Sequence, residues 1–227
     1  MEIVWYGHSC FRLKTRGAIV VTDPCGKGVG YTIPRMRADI VTISYDHPDY
    51  NNCSLVQGDP RVINGPGEYE IKGVFVTGIG TPLKKVKGPE RPRNTLYLFS
   101  FDDLTVCHLG SLDHVPSQAQ LQSLSDVDIL LIPVGAVTTL NANGAAEMIG
   151  LLEPKIVVPM HYKTKAVQAK LEPVSRFLKE MGLPETSPRD SLEIDKSGLP
   201  SETQVVVRCW IISLLCAIMS LATLKLR

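Results

Sequence analysis

Short runs of β-branched and aromatic residues fill the first half of the chain, broken by glycine and small polar residues. Residues 3–6, 10–13 and 18–22 are such runs, with Gly7-His8-Ser9 and Thr15-Arg16-Gly17 between them, and they predict a meander of strands. Residues 39–44 are apolar almost throughout after Asp39, as in a strand buried on both faces. A polar loop over 45–52 follows it. Strands are predicted again at 61–63, 69–71 and 74–77, with turns at Asn64-Gly65-Pro66-Gly67 and Lys72-Gly73. Residues 94–101 and 104–109 predict a hairpin around Asp102-Asp103.

The second half changes period. Ser117 is placed to N-cap a helix running to about residue 124. Strands at 128–133 and 156–160 then alternate with helices at 143–152 and 166–181, the last closed by Gly182, and a final strand is predicted at 204–207. Strand–helix alternation after a strand-rich half predicts an α/β layered fold with a mixed sheet. Without repeats or a long linker, residues 1–207 read as one domain and 208–227 as a tail. Cys209 to Leu224 is mostly apolar but falls short of the ~17–20 residues that a membrane span needs. The favoured reading is an apolar helix docked on the domain or on a partner, and the alternative is a tail anchor in a membrane.

Composition narrows the function classes. Lys+Arg 24 against Asp+Glu 23 leaves a net charge of +1, so no global basic field is present to hold nucleic acid. Gly 18 and Pro 16 favour many turns and exclude a coiled coil or helical bundle. The cysteines Cys10, Cys25, Cys53, Cys107, Cys209 and Cys216 form no C-x-x-C pair, and the opening residues lack a secretory leader, so they read as reduced thiols of a cytoplasmic protein. The basic run of Lys84, Lys85, Lys87, Arg91 and Arg93 reads as a solvated loop, with attraction of an anionic substrate as the alternative.

The chemistry concentrates in Ser44-Tyr45-Asp46-His47-Pro48-Asp49-Tyr50, directly after a buried strand, where α/β folds place ligands. This segment resembles the H-x-H-x-D-H signature of the metallo-β-lactamase superfamily, with Tyr45 and Tyr50 at the first and last histidine positions. Gly7-His8-Ser9, Thr22-Asp23-Pro24, Cys107-His108-Leu109-Gly110-Ser111 and Pro159-Met160-His161-Tyr162 match further elements of that superfamily in order. The likeness spans about residues 1–200 and is nearest to the small Zn-dependent hydrolases similar to ascorbate-6-phosphate lactonase. It implies an αββα four-layer sandwich with a two-metal centre along one edge. There a metal-activated water attacks a small anionic ester, lactone or phosphodiester.

Carried over by position, the resemblance puts one metal on residues 45, 47 and 108, a second on 49, 50 and 161, and a bridging carboxylate at 111. His47, Asp49, His108 and His161 keep a metal ligand, whereas Tyr45, Tyr50 and Ser111 do not. Asp49 and His8 are the candidate catalytic residues. His8 is otherwise a turn histidine. Asp23 and Asp46 are candidates to orient ligands from behind, although Asp23 equally suits the start of a turn. Asp46 or Asp113 is also placed to restore a carboxylate. A phenol must deprotonate to bind a divalent ion, and a hydroxyl at 111 supplies no charge. The expectation is therefore an impaired metal site, holding zinc weakly or as a single ion, with iron or manganese as alternatives. The competing expectation is an inactive scaffold in which the tyrosines and Ser111 fill the vacated pocket.

Overall fold

The computed structural model describes residues 1–85, 92–124, 126–185 and 191–208. The strands are β1 (Glu2–Gly7), β2 (Cys10–Lys14), β3 (Ile19–Thr22), β4 (Met36–Arg37), β5 (Ile40–Thr42), β6 (Val56–Gln57), β7 (Arg61–Ile63) and β8 (Gly67–Ile71). They continue with β9 (Val74–Pro82), β10 (Arg93–Phe101), β11 (Leu104–His108), β12 (Ile129–Pro133), β13 (Ile156–Met160), β14 (Leu192–Glu193) and β15 (Gln204–Val205). Among the described residues, three α-helices belong to the second half: α1 (Gln118–Gln122), α2 (Ala142–Leu152) and α3 (Val174–Glu180).

Two mixed sheets form the sandwich. One runs β14-β1-β2-β3-β5-β7 and the other β15-β13-β12-β11-β10-β9-β8, with β4-β6 as a small separate pair. In β1 the period of two is plain, since Ile3 and Trp5 join the large core between the sheets while Val4 and Tyr6 join a smaller core on the opposite face. Buried residues of α2 and α3, among them Met148 and Phe177, complete the large core. The smaller core is closed by Cys25, Val29, Tyr31 and Ile33 from the irregular segment between β3 and β4, which on that face does the covering that a helix would do.

The two sheets are stitched by polar contacts at one end. The Tyr97 hydroxyl lies 3.0 Å from the Ile43 carbonyl and 3.2 Å from that of Ile63, and it accepts from the Gly65 amide at 3.0 Å. The Thr95 amide donates to the Ser44 carbonyl at 2.7 Å. These contacts join β10 of one sheet to residues at or just past the ends of β5 and β7 in the other, and they fix the edge where the candidate residues emerge.

Several elements differ from the sequence pattern. The helix expected over 166–181 begins only at Val174, because Pro173 has no amide proton to donate and drives the residue before it out of helical space. Residues 166–172 instead form a loop, held where the Lys163 ammonium donates to the Val167 and Ala169 carbonyls. Strand β9 runs on to Pro82 because β10 pairs with it from Phe101↔Val74 to Arg93↔Pro82. Gly78 allows this: a Cβ there would press on the Gly65 carbonyl at 2.8 Å. Arg208, grouped with the tail by sequence, is buried, and its carbonyl accepts from the Tyr162 hydroxyl at 3.0 Å. Residues 209–227, with the rest of the apolar tail, lie outside the described residues, as does most of the basic loop, 86–91.

Candidate active site

Four strand ends meet at the edge of the sandwich, and the backbone there takes left-handed turns that non-glycine residues rarely adopt. His8 (φ 52°) follows Gly7 between β1 and β2, Asp23 (φ 40°) follows β3, Gly110 (φ 57°) lies past β11, and His161 (φ 53°) follows β13. Such turns cost of order 1–3 kcal/mol each at a non-glycine residue and collect at functional sites. The His161 amide donates to the His8 carbonyl at 3.1 Å, so the turn of one sheet is clamped to the strand end of the other. Gly135 admits this approach, because a Cβ there would collide with the His161 carbonyl.

A cavity of about 410 Å³ opens at this edge, and His8, Tyr45, His47, Asp49, Tyr50, Ser111 and His161 all contribute to its lining. The rings of His8 and His161 lie edge to face at 4.3 Å, and His8 meets Tyr50 in the same way at 4.6 Å. The Tyr50 and Ser111 hydroxyls are hydrogen bonded at 3.0 Å, and both residues are buried. The Ser111 amide donates to Asn94 Oδ1 at 2.7 Å, which fixes the serine in its turn. Burial pushes the Tyr50 phenol well above its ordinary value, although the bond to Ser111 pulls against it. This phenol stays protonated rather than anionic, and either hydroxyl of the pair can be the donor.

The histidines separate into two kinds. His8, His108 and His161 are buried, and desolvation lowers all three, His108 and His161 to about 4. They are neutral at ordinary pH. His108 Nε2 faces the Ser9 carbonyl at 2.9 Å, and a carbonyl only accepts, so Nε2 carries the proton. Its Nδ1 is buried without a hydrogen-bond partner, as is Nδ1 of His8. His47 is different: it lies half exposed with Asp49, the His47 Nδ1 to Asp49 Oδ2 distance being 3.5 Å, and it stacks on Tyr45 at 5.5 Å.

Three of the carboxylates proposed from sequence, Asp23, Asp46 and Asp113, are committed elsewhere. Asp23 accepts from the Ser44 amide at 2.7 Å and the Ser44 hydroxyl at 2.6 Å, and burial raises it to about 7 despite those bonds. It approaches His108 Nε2 only to 3.9 Å. Asp46 is exposed and accepts from Asn51 Nδ2 at 2.8 Å. Asp113 receives the Lys84 and Lys85 amides at 2.7 and 2.5 Å and pairs with His114 at 2.7 Å, which turns it toward the start of the basic loop. The structure thus brings His8, Tyr45, His47, Asp49, Tyr50, Ser111 and His161 to one cavity, while His108, Asp23, Asp46 and Asp113 are held outside its lining.

Against the two-metal ligand set that the resemblance implies, the residues present do not fit. Among the described residues no group of three or more His, Cys, Asp or Glu side chains is arranged to hold a metal ion. The positions for a histidine and the bridging carboxylate carry two neutral hydroxyls bonded to each other. The cavity also has walls that no motif in the sequence marks: Val29, Val137, Thr138, Val167 and Leu171. For Val137 and Thr138 the signal is the loop after a buried strand, residues 134–140, which occupies the same kind of strand-end position as the His47 segment.

Comparison with known proteins gives a consistent family. Residues 2–161 match the family described as Beta-lactamase superfamily domain. A UPF0173 protein of Pyrococcus abyssi is 32% identical over 188 residues, covering 72% of this chain and 84% of its own. A UPF0173 metal-dependent hydrolase of Pyrobaculum arsenaticum is 27% identical over 215 residues, covering 78% and 94%. Among solved structures, a candidate Zn-dependent hydrolase of the metallo-beta-lactamase superfamily from Thermotoga maritima is 38% identical, with a TM-score of 0.75 over 91% of this chain and 97% of that one.

Proposed function

The chain belongs to the beta-lactamase superfamily domain family, and from that membership we propose a metal-dependent hydrolase lineage whose metal site is impaired in this protein. The relatives named metal-dependent hydrolases supply the reaction class. The observation that carries the impairment is the Tyr50–Ser111 hydroxyl pair, 3.0 Å apart, at the positions of a ligand imidazole and a bridging carboxylate. A catalytic zinc takes three protein ligands and a water. The cavity does not assemble such a set, so zinc, iron or manganese binds weakly or as one ion.

The cavity's own residues bind and orient. The Tyr50 and Ser111 hydroxyls have one proton committed between them and the other free to donate to the carbonyl or phosphoryl oxygen of a small anionic ester, lactone or phosphodiester. The buried His8 and His161 rings flank that donor and limit water around it. The free thiols Cys10, Cys25, Cys53 and Cys107 support a reducing, cytoplasmic setting. Among the described residues no helix is long and apolar enough to cross a membrane. A second reading, a binding scaffold without turnover, is favoured by His47 and Asp49 pairing with each other at the surface.

The test is metal analysis of protein purified without chelator, followed by the triple substitution Tyr45→His, Tyr50→His and Ser111→Asp. The unaltered chain is expected to carry under about one equivalent of metal, and the triple variant to gain both metal and hydrolysis of bis(4-nitrophenyl) phosphate. Two stoichiometric ions in the unaltered protein overturn the impairment. Hydrolysis by the unaltered protein that His161→Ala abolishes excludes the silent scaffold.

A further inference from the structure

We propose that the cavity selects a ligand with one negative charge and an apolar aryl or branched-alkyl arm, and that Val137 on its rim grips that arm. The inference rests on the cavity being the ligand site, as proposed above, but not on how much metal the protein holds.

Val137 is 59% exposed, which is unusual for a large apolar side chain, and it lines the cavity. It also has φ 52°, directly after Ala136 at φ 58°. A β-branched residue in the left-handed region is a genuine outlier. The loop holds that strain on both sides. The Ala136 amide donates to the Leu140 carbonyl at 3.0 Å, the Thr139 amide to the Ala136 carbonyl at 2.9 Å, and the Glu172 amide to the Gly135 carbonyl at 3.0 Å. Lys85 Nζ adds a bond to the Thr139 carbonyl at 2.5 Å. A strained backbone that presents an apolar side chain to solvent at a cavity mouth is the arrangement of a ligand clamp.

The rest of the wall agrees. Val29, Val167 and Leu171 face the same space as Val137, so the side wall is apolar. Lys170, exposed on the rim, is the lining residue of fixed positive charge among the described residues, and Asp49 is a carboxylate across the mouth. One cation opposed by one anion suits a monoanion whose charge stays at Lys170, whereas a phosphate dianion would meet Asp49 without further cations to offset it.

The experiment is a ligand-observed NMR titration in EDTA-containing buffer with phenylacetate, acetate, inorganic phosphate and benzyl alcohol. Phenylacetate is expected to bind at least about ten-fold more tightly than acetate or phosphate, the scale set by burying an aryl group. Val137→Asp is expected to weaken phenylacetate about ten-fold, and the milder Val137→Ala to weaken it less, both with the thermal midpoint retained. Lys170→Ala is expected to weaken phenylacetate and leave benzyl alcohol unchanged. Phosphate binding as tightly as phenylacetate, or unchanged phenylacetate affinity in folded Val137→Asp, overturns the proposal. Because EDTA is present throughout, these outcomes are independent of the metal analysis, and each proposal fails on its own result.

Discussion

The Tyr50–Ser111 pair makes a quantitative prediction that separates a packed hydroxyl pair from two groups that drift apart to meet an ion. Tyr50→Phe removes a hydrogen bond of 3.0 Å and leaves a buried serine hydroxyl without that partner. The loss is about 1–2 kcal/mol, since a net hydrogen bond contributes roughly 1 and an orphaned buried hydroxyl adds to it. Ser111→Ala orphans the tyrosine hydroxyl instead and costs a similar amount. The double variant orphans neither. Its cost is expected at about 1–2 kcal/mol, below the sum of the single losses, which gives a coupling of roughly 1 kcal/mol. Guanidinium unfolding at pH 7.5, followed by far-ultraviolet circular dichroism, reads all four proteins, with an unchanged denaturant slope confirming that the folded and unfolded states stay comparable. Additivity of the two single losses to within about 0.3–0.5 kcal/mol refutes the pairing.

Other outcomes follow from the same edge of the fold. Tyr97→Phe removes the hydroxyl that meets the Ile43 and Ile63 carbonyls and the Gly65 amide, and is expected to cost about 1–3 kcal/mol in the same unfolding assay, with the Gly65 amide losing its protection from hydrogen exchange first. Acid is expected to destabilise the protein. His108 and His161 titrate at about 4 when folded and near 6.5 when unfolded, so their full contribution is present above pH 6.5 and is lost as pH falls toward 4. Asp23, raised to about 7 from 3.8, acts in the opposite direction over the same range and offsets part of what the two histidines lose. Unfolding at pH 7.5 and 4.5 checks this, and stability that stays level or rises on acidification contradicts it. Gly135→Ala forces the 134–140 loop off the His161 carbonyl and is expected to cost about 1–3 kcal/mol and to weaken ligand binding, read by thermal shift and by the phenylacetate titration.

Much of this was legible in the order of the residues, for reasons that are local. Strands such as Arg61–Ile63 and Ile156–Met160 fall where the runs of branched side chains predict them, because alternation and turn residues act over a few positions. The absence of a carboxylate at Ser111 and of imidazoles at Tyr45 and Tyr50 is a property of composition at those positions, visible without coordinates. Pro173 was equally visible, and it alone decides where α3 begins.

What the chain does with those residues was settled only by tertiary structure. The resemblance grouped His108 with the other ligand positions, yet its ring is turned to the Ser9 carbonyl, a contact between residues 99 apart in sequence. Asp113 looked available as a substitute carboxylate until the Lys84 and Lys85 amides claimed it. Val137 carries no motif, and its role at the cavity mouth comes from a left-handed turn held by bonds to Leu140 and to the 166–172 loop. Periodicity reports which face of an element is apolar, but hydrogen bonds between distant segments choose where a side chain points, and at this edge that choice makes the cavity.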